Sequence, residues 1–148
     1  MIKMYFEKYV EKYESMQEAL KELIDAKQDL YTLTGIKYDD MPKGNKKPLG
    51  LEDLLSHVEG LEEYYAEQKS IYENTKEKYK KEIDGLNELQ NIHKIIIKYA
   101  YLDFESNKMI MDSLKKYHNK DYSLGYIKIL KSQANNKLKK LITKYNLI

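Results

Sequence analysis

Two runs of apolar residues recur with the alternating three-and-four spacing of a helical seam, and no other property of this chain restricts its fold so strongly. In the first run, Ile2, Phe6, Tyr9, Tyr13, Met16, Leu20, Leu23 and Leu30 line one side of a helix. No proline or glycine interrupts it as far as Leu33, and Glu, Lys, Gln and Ala fill the outer positions. The pattern predicts one helix of about 30 residues and about 45 Å. Tyr5, Val10 and Ile24 widen the stripe, so this helix needs more than one neighbour or a broad pair. The second run, Leu51, Leu54, Val58, Leu61, Tyr65, Tyr72, Tyr79, Leu86 and Leu89, again steps in sevens, with Gln68, Thr75 and Glu82 at intervening core positions. Two such seams predict an antiparallel, coiled-coil-like helical hairpin over residues 1–90.

The segment between them, about residues 34–50, gathers Gly35, Pro42, Gly44, Pro48 and Gly50 with Asp39, Asp40 and Asn45. These residues break helices and favour turns, which predicts the connecting loop. Asp39 and Asp40 ahead of Lys43, Gly44 and Asn45 lack the alternating Asp/Asn ligands of an EF-hand, so a solvated turn is expected there, without a metal. Gly85 is costly inside a helix and marks a candidate joint.

Residues 91–148 divide into three shorter helical segments. Ile92 to Leu102 is rich in apolar residues, and Leu102 to Ser106 has the composition of a turn. Ser106 is placed to cap a helix carrying Met109, Ile110, Ser113, Leu114 and Tyr117, and the polar run His118 to Asp121 precedes a second capping serine, Ser123. After it, Leu124, Ile127, Leu130, Ala134, Leu138, Leu141 and Ile142 form a helical stripe. The expected fold is therefore all-α: a long antiparallel hairpin followed by a small three-helix head with the layout of a helix-turn-helix.

Charge is segregated along this plan. Residues 1–90 hold 14 Lys and 20 Asp plus Glu, a net of −6, whereas residues 91–148 hold 12 Lys and 4 acidic residues, a net of +8. The near-neutral total conceals a basic end able to attract polyanions through its local field. Every cation is lysine, since arginine is absent. The bidentate arginine contact to guanine is thus unavailable, and base reading would fall to Asn, Gln, Ser or Tyr. On this reading Lys128, Lys131, Lys137, Lys139 and Lys140 neutralise phosphates of double-stranded DNA, and Tyr126, Ser132, Gln133 and Asn135 face base edges.

Other chemistry is expected to be missing. Without cysteine there is neither a disulfide nor a thiolate metal site. His57, His93 and His118 are too scattered for a ligand motif and are expected at the surface or half-buried. No glycine-rich phosphate loop or nucleophile elbow is present. No catalytic residue, cofactor, metal or small-molecule substrate is expected, and the protein is not expected to be an enzyme. The tyrosines at heptad spacing are expected to pack in the core, with hydroxyls at its rim. The sequence contains neither a signal-peptide run nor the roughly 18 to 20 apolar residues of a membrane span, so a cytoplasmic location in a bacterial host is expected, away from membranes.

Two stretches carry a family resemblance: Gly35-Ile36-Lys37-Tyr38-Asp39-Asp40-Met41-Pro42-Lys43-Gly44, and the ending with Tyr122, Ser123, Tyr126, Ile127, Leu130, Ala134, Lys137 and Leu138. With them the chain resembles, over nearly its whole length, the phage late transcription regulators of the RinA and ArpU type, whose ending is similar to sigma-70 region 4. The resemblance implies that Ser123 to Asn135 is the DNA-facing segment and that Tyr99 to Leu102 corresponds to the stretch before the motif. Lys98 stands where the family has Arg, no tryptophan follows Leu102, and Leu114 to Tyr122 is several residues longer than the family's turn. The expected function is a DNA-binding transcription regulator whose hairpin dimerises the protein or contacts RNA polymerase. The alternative is a coiled-coil module that works through protein contacts alone.

Overall fold

The computed structural model describes residues 1–40 and 51–148, with side-chain environments for 1–32 and 51–148. Its elements are all helical: α1 Ile2–Tyr5, α2 Glu7–Asp40, α3 Leu51–Asp84, α4 Asn91–Ile97, α5 Asn107–His118 and α6 Leu124–Tyr145. A π-helical turn, Lys98–Leu102, extends α4. The fold is all-α, with no strand among the described residues. None of the described helices is long and apolar enough to cross a membrane.

Two helix ends depart from expectation. The first predicted helix is interrupted at Phe6, whose φ of −91° and ψ of 4° separate α1 from α2. Its ring stacks on Tyr101 with centroids 5.0 Å apart, so tertiary packing accompanies the break. At the far end α2 continues to Asp40 instead of stopping near residue 34. One interior glycine, Gly35, costs only about 1 kcal/mol, and the first proline, Pro42, lies beyond. The remainder of the predicted loop, residues 41–50, lies outside the described residues, as do Met41 to Gly44 of the family-like stretch and Lys43 to Asn45 of the EF-hand comparison. Gly85 does follow the end of α3, where an added Cβ would sit 3.3 Å from the Lys81 carbonyl.

The chain forms two compact units, Glu11–Glu73 and Met1–Val10 with Asn74–Ile148. Both α2 and α3 contribute to both units. By sequence the first unit carries a net charge of −7 and the second +9.

Within Glu11–Glu73, rising positions on α2 meet falling positions on α3, which is antiparallel pairing. Tyr13 lies against Tyr72 at 5.5 Å between centroids, and Lys27 Nζ is 3.3 Å from Glu62 Oε1. Leu23, Ala26 and Val58 are buried there, with Leu30, Leu61 and Tyr65 packed on them. The ion pair is half-exposed and contributes about 0–1 kcal/mol, so apolar burial carries the pairing.

The other unit has a richer core. Ile96, Ile110, Leu114, Ile127 and Leu130 join α4, α5 and α6, with Ile92, Ile95, Tyr99, Ala100, Met111 and Tyr122 packed around them. Ile2, Tyr5, Phe6, Tyr9, Ile83, Leu86 and Leu89 are also buried in this unit. Here Tyr5 and Tyr9 are buried and Tyr79 is half-buried, and the hydroxyls of all three are bonded. Tyr5 donates to Glu82 Oε1 at 2.6 Å, Tyr79 donates to the Tyr5 carbonyl at 2.9 Å, and Tyr9 donates to the Leu102 carbonyl. Burial and the Glu82 carboxylate push the Tyr5 phenol far above its ordinary pKa. In the π-turn the Asp103 N–H reaches the Lys98 carbonyl at 3.1 Å. Phe104 follows with a φ of 53°, a strained value for a bulky residue, and its ring stacks on Tyr9 at 5.7 Å. Lys94 donates to the Asp84 carbonyl at 2.9 Å and Lys98 pairs with its carboxylate at 2.7 Å, fastening α4 to the end of α3.

Leu138 is fully buried on α6. Leu138→Ala should lower unfolding stability by about 2–5 kcal/mol in urea denaturation. A loss under about 1 kcal/mol would show that this stripe does not anchor the helix.

Candidate nucleic-acid interface

Local chemistry defines both ends of α6. Ser123 Oγ accepts the Tyr126 N–H at 3.2 Å, the predicted cap, while Asn146 adopts a left-handed conformation that ends the helix and the Leu147 N–H returns to the Ile142 carbonyl at 3.1 Å. Ile127, Leu130, Ala134, Leu138, Leu141 and Ile142 are buried, so helical geometry turns the opposite side to solvent. Leu124, expected in the stripe, is 39% exposed because it sits at the first position of the helix. The helix carries six lysines and no carboxylate.

The stretch Leu114 to Tyr122 is partly helical. Residues 114–118 belong to α5, with Leu114 buried, and only Asn119 to Ser123 bridges the helices. Ser106 Oγ accepts the Met109 N–H at 3.3 Å, as its position predicts. On α5 Ile110 and Leu114 are buried, while Met109 and Tyr117 are exposed.

The expected contact residues separate into two groups. Tyr126, Lys128, Ser132, Gln133, Lys139 and Lys140 are exposed on one side of α6, and Ser123 is exposed at its start. Lys128, Lys139 and Lys140 enter no ion pair among the described residues. Lys115 and Lys116 at the end of α5 are exposed as well. By contrast Lys131, Asn135 and Lys137 are half-buried on the flanks. The Tyr101 hydroxyl donates to Asn135 Oδ1 at 2.8 Å, and Lys131 Nζ lies 6.0 Å from the Tyr101 ring centre. These flank residues are engaged by the π-turn and by α4.

His93 makes the second of those contacts. It was expected at the surface or half-buried, yet only 2% of it is exposed. Its position on α4 turns the ring toward α6, with Nε2 3.4 Å from Gln133 Oε1 and Nδ1 3.5 Å from Lys137 Nζ. Burial, followed by the Lys137 charge, holds its pKa below the ordinary histidine value, and the Gln133 bond opposes them. Elsewhere, the Tyr99 hydroxyl and His118 Nε2 are 2.9 Å apart. At the end of α6, Lys144 lies 3.5 Å from Glu88, and the Tyr145 hydroxyl donates to that same carboxylate. Tyr145, then Lys144 among the side chains, hold Glu88 below its usual range.

Two residues of the exposed side were not singled out from sequence, Ile129 and Asn136. The signal for Ile129 was its phase: an isoleucine one turn from Gly125 and Ser132, away from the apolar stripe. The assembled surface is a row of ammonium groups with interspersed amides and hydroxyls, suited to attract a polyanion and to form hydrogen bonds with it. Comparison with known proteins finds no matching family model, no matching curated protein and no matching solved structure.

His93 also sets a pH dependence. Because its folded pKa lies below the ordinary histidine value of 6.5, the unfolded chain binds more protons as pH falls past that value. Its contribution is complete above pH 6.5 and is lost as pH falls toward the folded pKa. Urea denaturation between about pH 7.5 and 5 should show a steeper loss for the wild type than for His93→Gln. Parallel losses in the two proteins would remove His93 as the cause.

Proposed function

We propose that this chain is a duplex-DNA-binding transcription regulator that lays the outer side of α6 in the major groove. The observation that carries the reading is the pairing of an apolar anchor stripe with an exposed side bearing Lys128, Lys139 and Lys140 on a helix without carboxylates. Such a surface gains affinity by releasing the counterions condensed on phosphate. Lys115 and Lys116 extend the basic surface onto α5. The acidic unit, at −7, would serve in dimerisation or in contact with RNA polymerase, since its charge disfavours DNA. This reading needs no cofactor and no small molecule.

A second reading has its own observation. The opposite charges of the units, −7 and +9, also suit a basic surface docking on an acidic protein or on another copy's acidic unit. That protein would associate with itself or a partner in a salt-dependent way, and duplex DNA would not compete.

Fluorescence anisotropy with a labelled duplex of about 30 base pairs separates the two. DNA binding should weaken with salt at a log-log slope of several units, about 0.9 for each phosphate neutralised. Lys128→Glu combined with Lys139→Glu and Lys140→Glu should weaken binding by about 100-fold or more at low salt. Lys69→Glu, in the acidic unit, should leave it unchanged. Folded protein that binds no duplex at low salt would refute the proposal.

A further inference from the structure

Charge neutralisation does not account for the apolar side chain in the middle of this cationic surface. Ile129 is 55% exposed, and the anchor stripe lies on the other side of α6, so packing within the chain does not explain its presence. A single exposed isoleucine is ordinary on a protein surface. Its neighbours give this one a direction. Gly125 lies one turn before it, where an added Cβ would meet nothing within 4 Å, which leaves the helix backbone open to close approach. Ser132 lies one turn after it and Asn136 two turns after it, both exposed. Lys128 and Lys139 border the same strip.

Resting on the DNA-binding reading, we infer that α6 selects A·T base pairs, with Ile129 packed against a thymine C5-methyl group and Asn136 bonded to an adenine edge. In the major groove, the thymine methyl is the apolar feature a base pair presents, and asparagine pairs in a bidentate manner with adenine N6 and N7. The chain lacks arginine, so the guanine fork contact has no donor of matching geometry. The two side chains are seven residues apart, about 10.5 Å along the helix. At about 3.4 Å per base along a strand, that spans about three steps for a helix lying along the groove. Gln133 is less available, because its Oε1 already lies 3.4 Å from His93 Nε2.

The test compares an alternating d(A-T) duplex of about 24 base pairs with the same duplex carrying uracil, which lacks only the methyl group. Wild-type protein should bind the thymine duplex about three- to tenfold more tightly, as expected for one or two buried methyl groups. Ile129→Ala should erase that ratio while preserving helical circular dichroism and the salt slope. Asn136→Ala should weaken both A·T duplexes and leave binding to an alternating d(G-C) duplex unchanged. Equal wild-type binding to the thymine and uracil duplexes, with the salt slope intact, would overturn the inference and leave DNA binding standing. A ratio that persists in Ile129→Ala would overturn it too. Binding to none of the duplexes would overturn the DNA-binding reading itself.

Discussion

The burial of one stripe of α6 determines which way every cation on that helix points. Ile127, Leu130, Ala134, Leu138, Leu141 and Ile142 occupy one side, and each large aliphatic among them contributes about 1.5–3 kcal/mol when removed from water. Rotation by a single position would expose this set and bury lysines in exchange, at several kcal/mol per unpaired charge. The orientation of Lys128, Lys139 and Lys140 toward water is therefore a consequence of core packing. The cationic surface and the stability of the unit share one cause.

Aromatic residues from the other end of the chain complete the support. Phe6 stacks on Tyr101, and Tyr101 in turn donates to Asn135 on α6, so one side chain in the π-turn links the N-terminal segment to the flank of the basic helix. Tyr9 fills the neighbouring space and bonds the Leu102 carbonyl, a backbone group at the end of the π-turn. Tyrosine suits these positions better than leucine because it buries a large apolar ring and still supplies a donor for a buried acceptor. The His93 contacts with Gln133 and Lys137 add a polar seam between α4 and α6.

What could be read from sequence was governed by local chemistry. The caps Ser106 and Ser123 were legible because a hydroxyl before a helix satisfies an N–H within the next few residues. The long seams were legible because apolar period and helix propensity agreed over many turns. Where a distant group intervened, the reading was incomplete. The break at Phe6 accompanies stacking on Tyr101, the burial of His93 depends on α6 lying over α4, and the passage of α2 beyond Gly35 reflects the small cost of one glycine within a long helix.

The sequence by itself determined that the chain is helical, which side of α6 is apolar, and where the positive charge accumulates, because period and composition are properties of neighbours along the chain. Tertiary structure alone decided which polar residues of α6 stay available. Lys131, Asn135 and Lys137 belong to the same basic stretch as Lys128 and Lys139, yet they lie at the border of the buried stripe, where Tyr101 and His93 meet them. A border residue's exposure depends on what the adjoining helix places opposite it, and spacing along the chain carries no information about that.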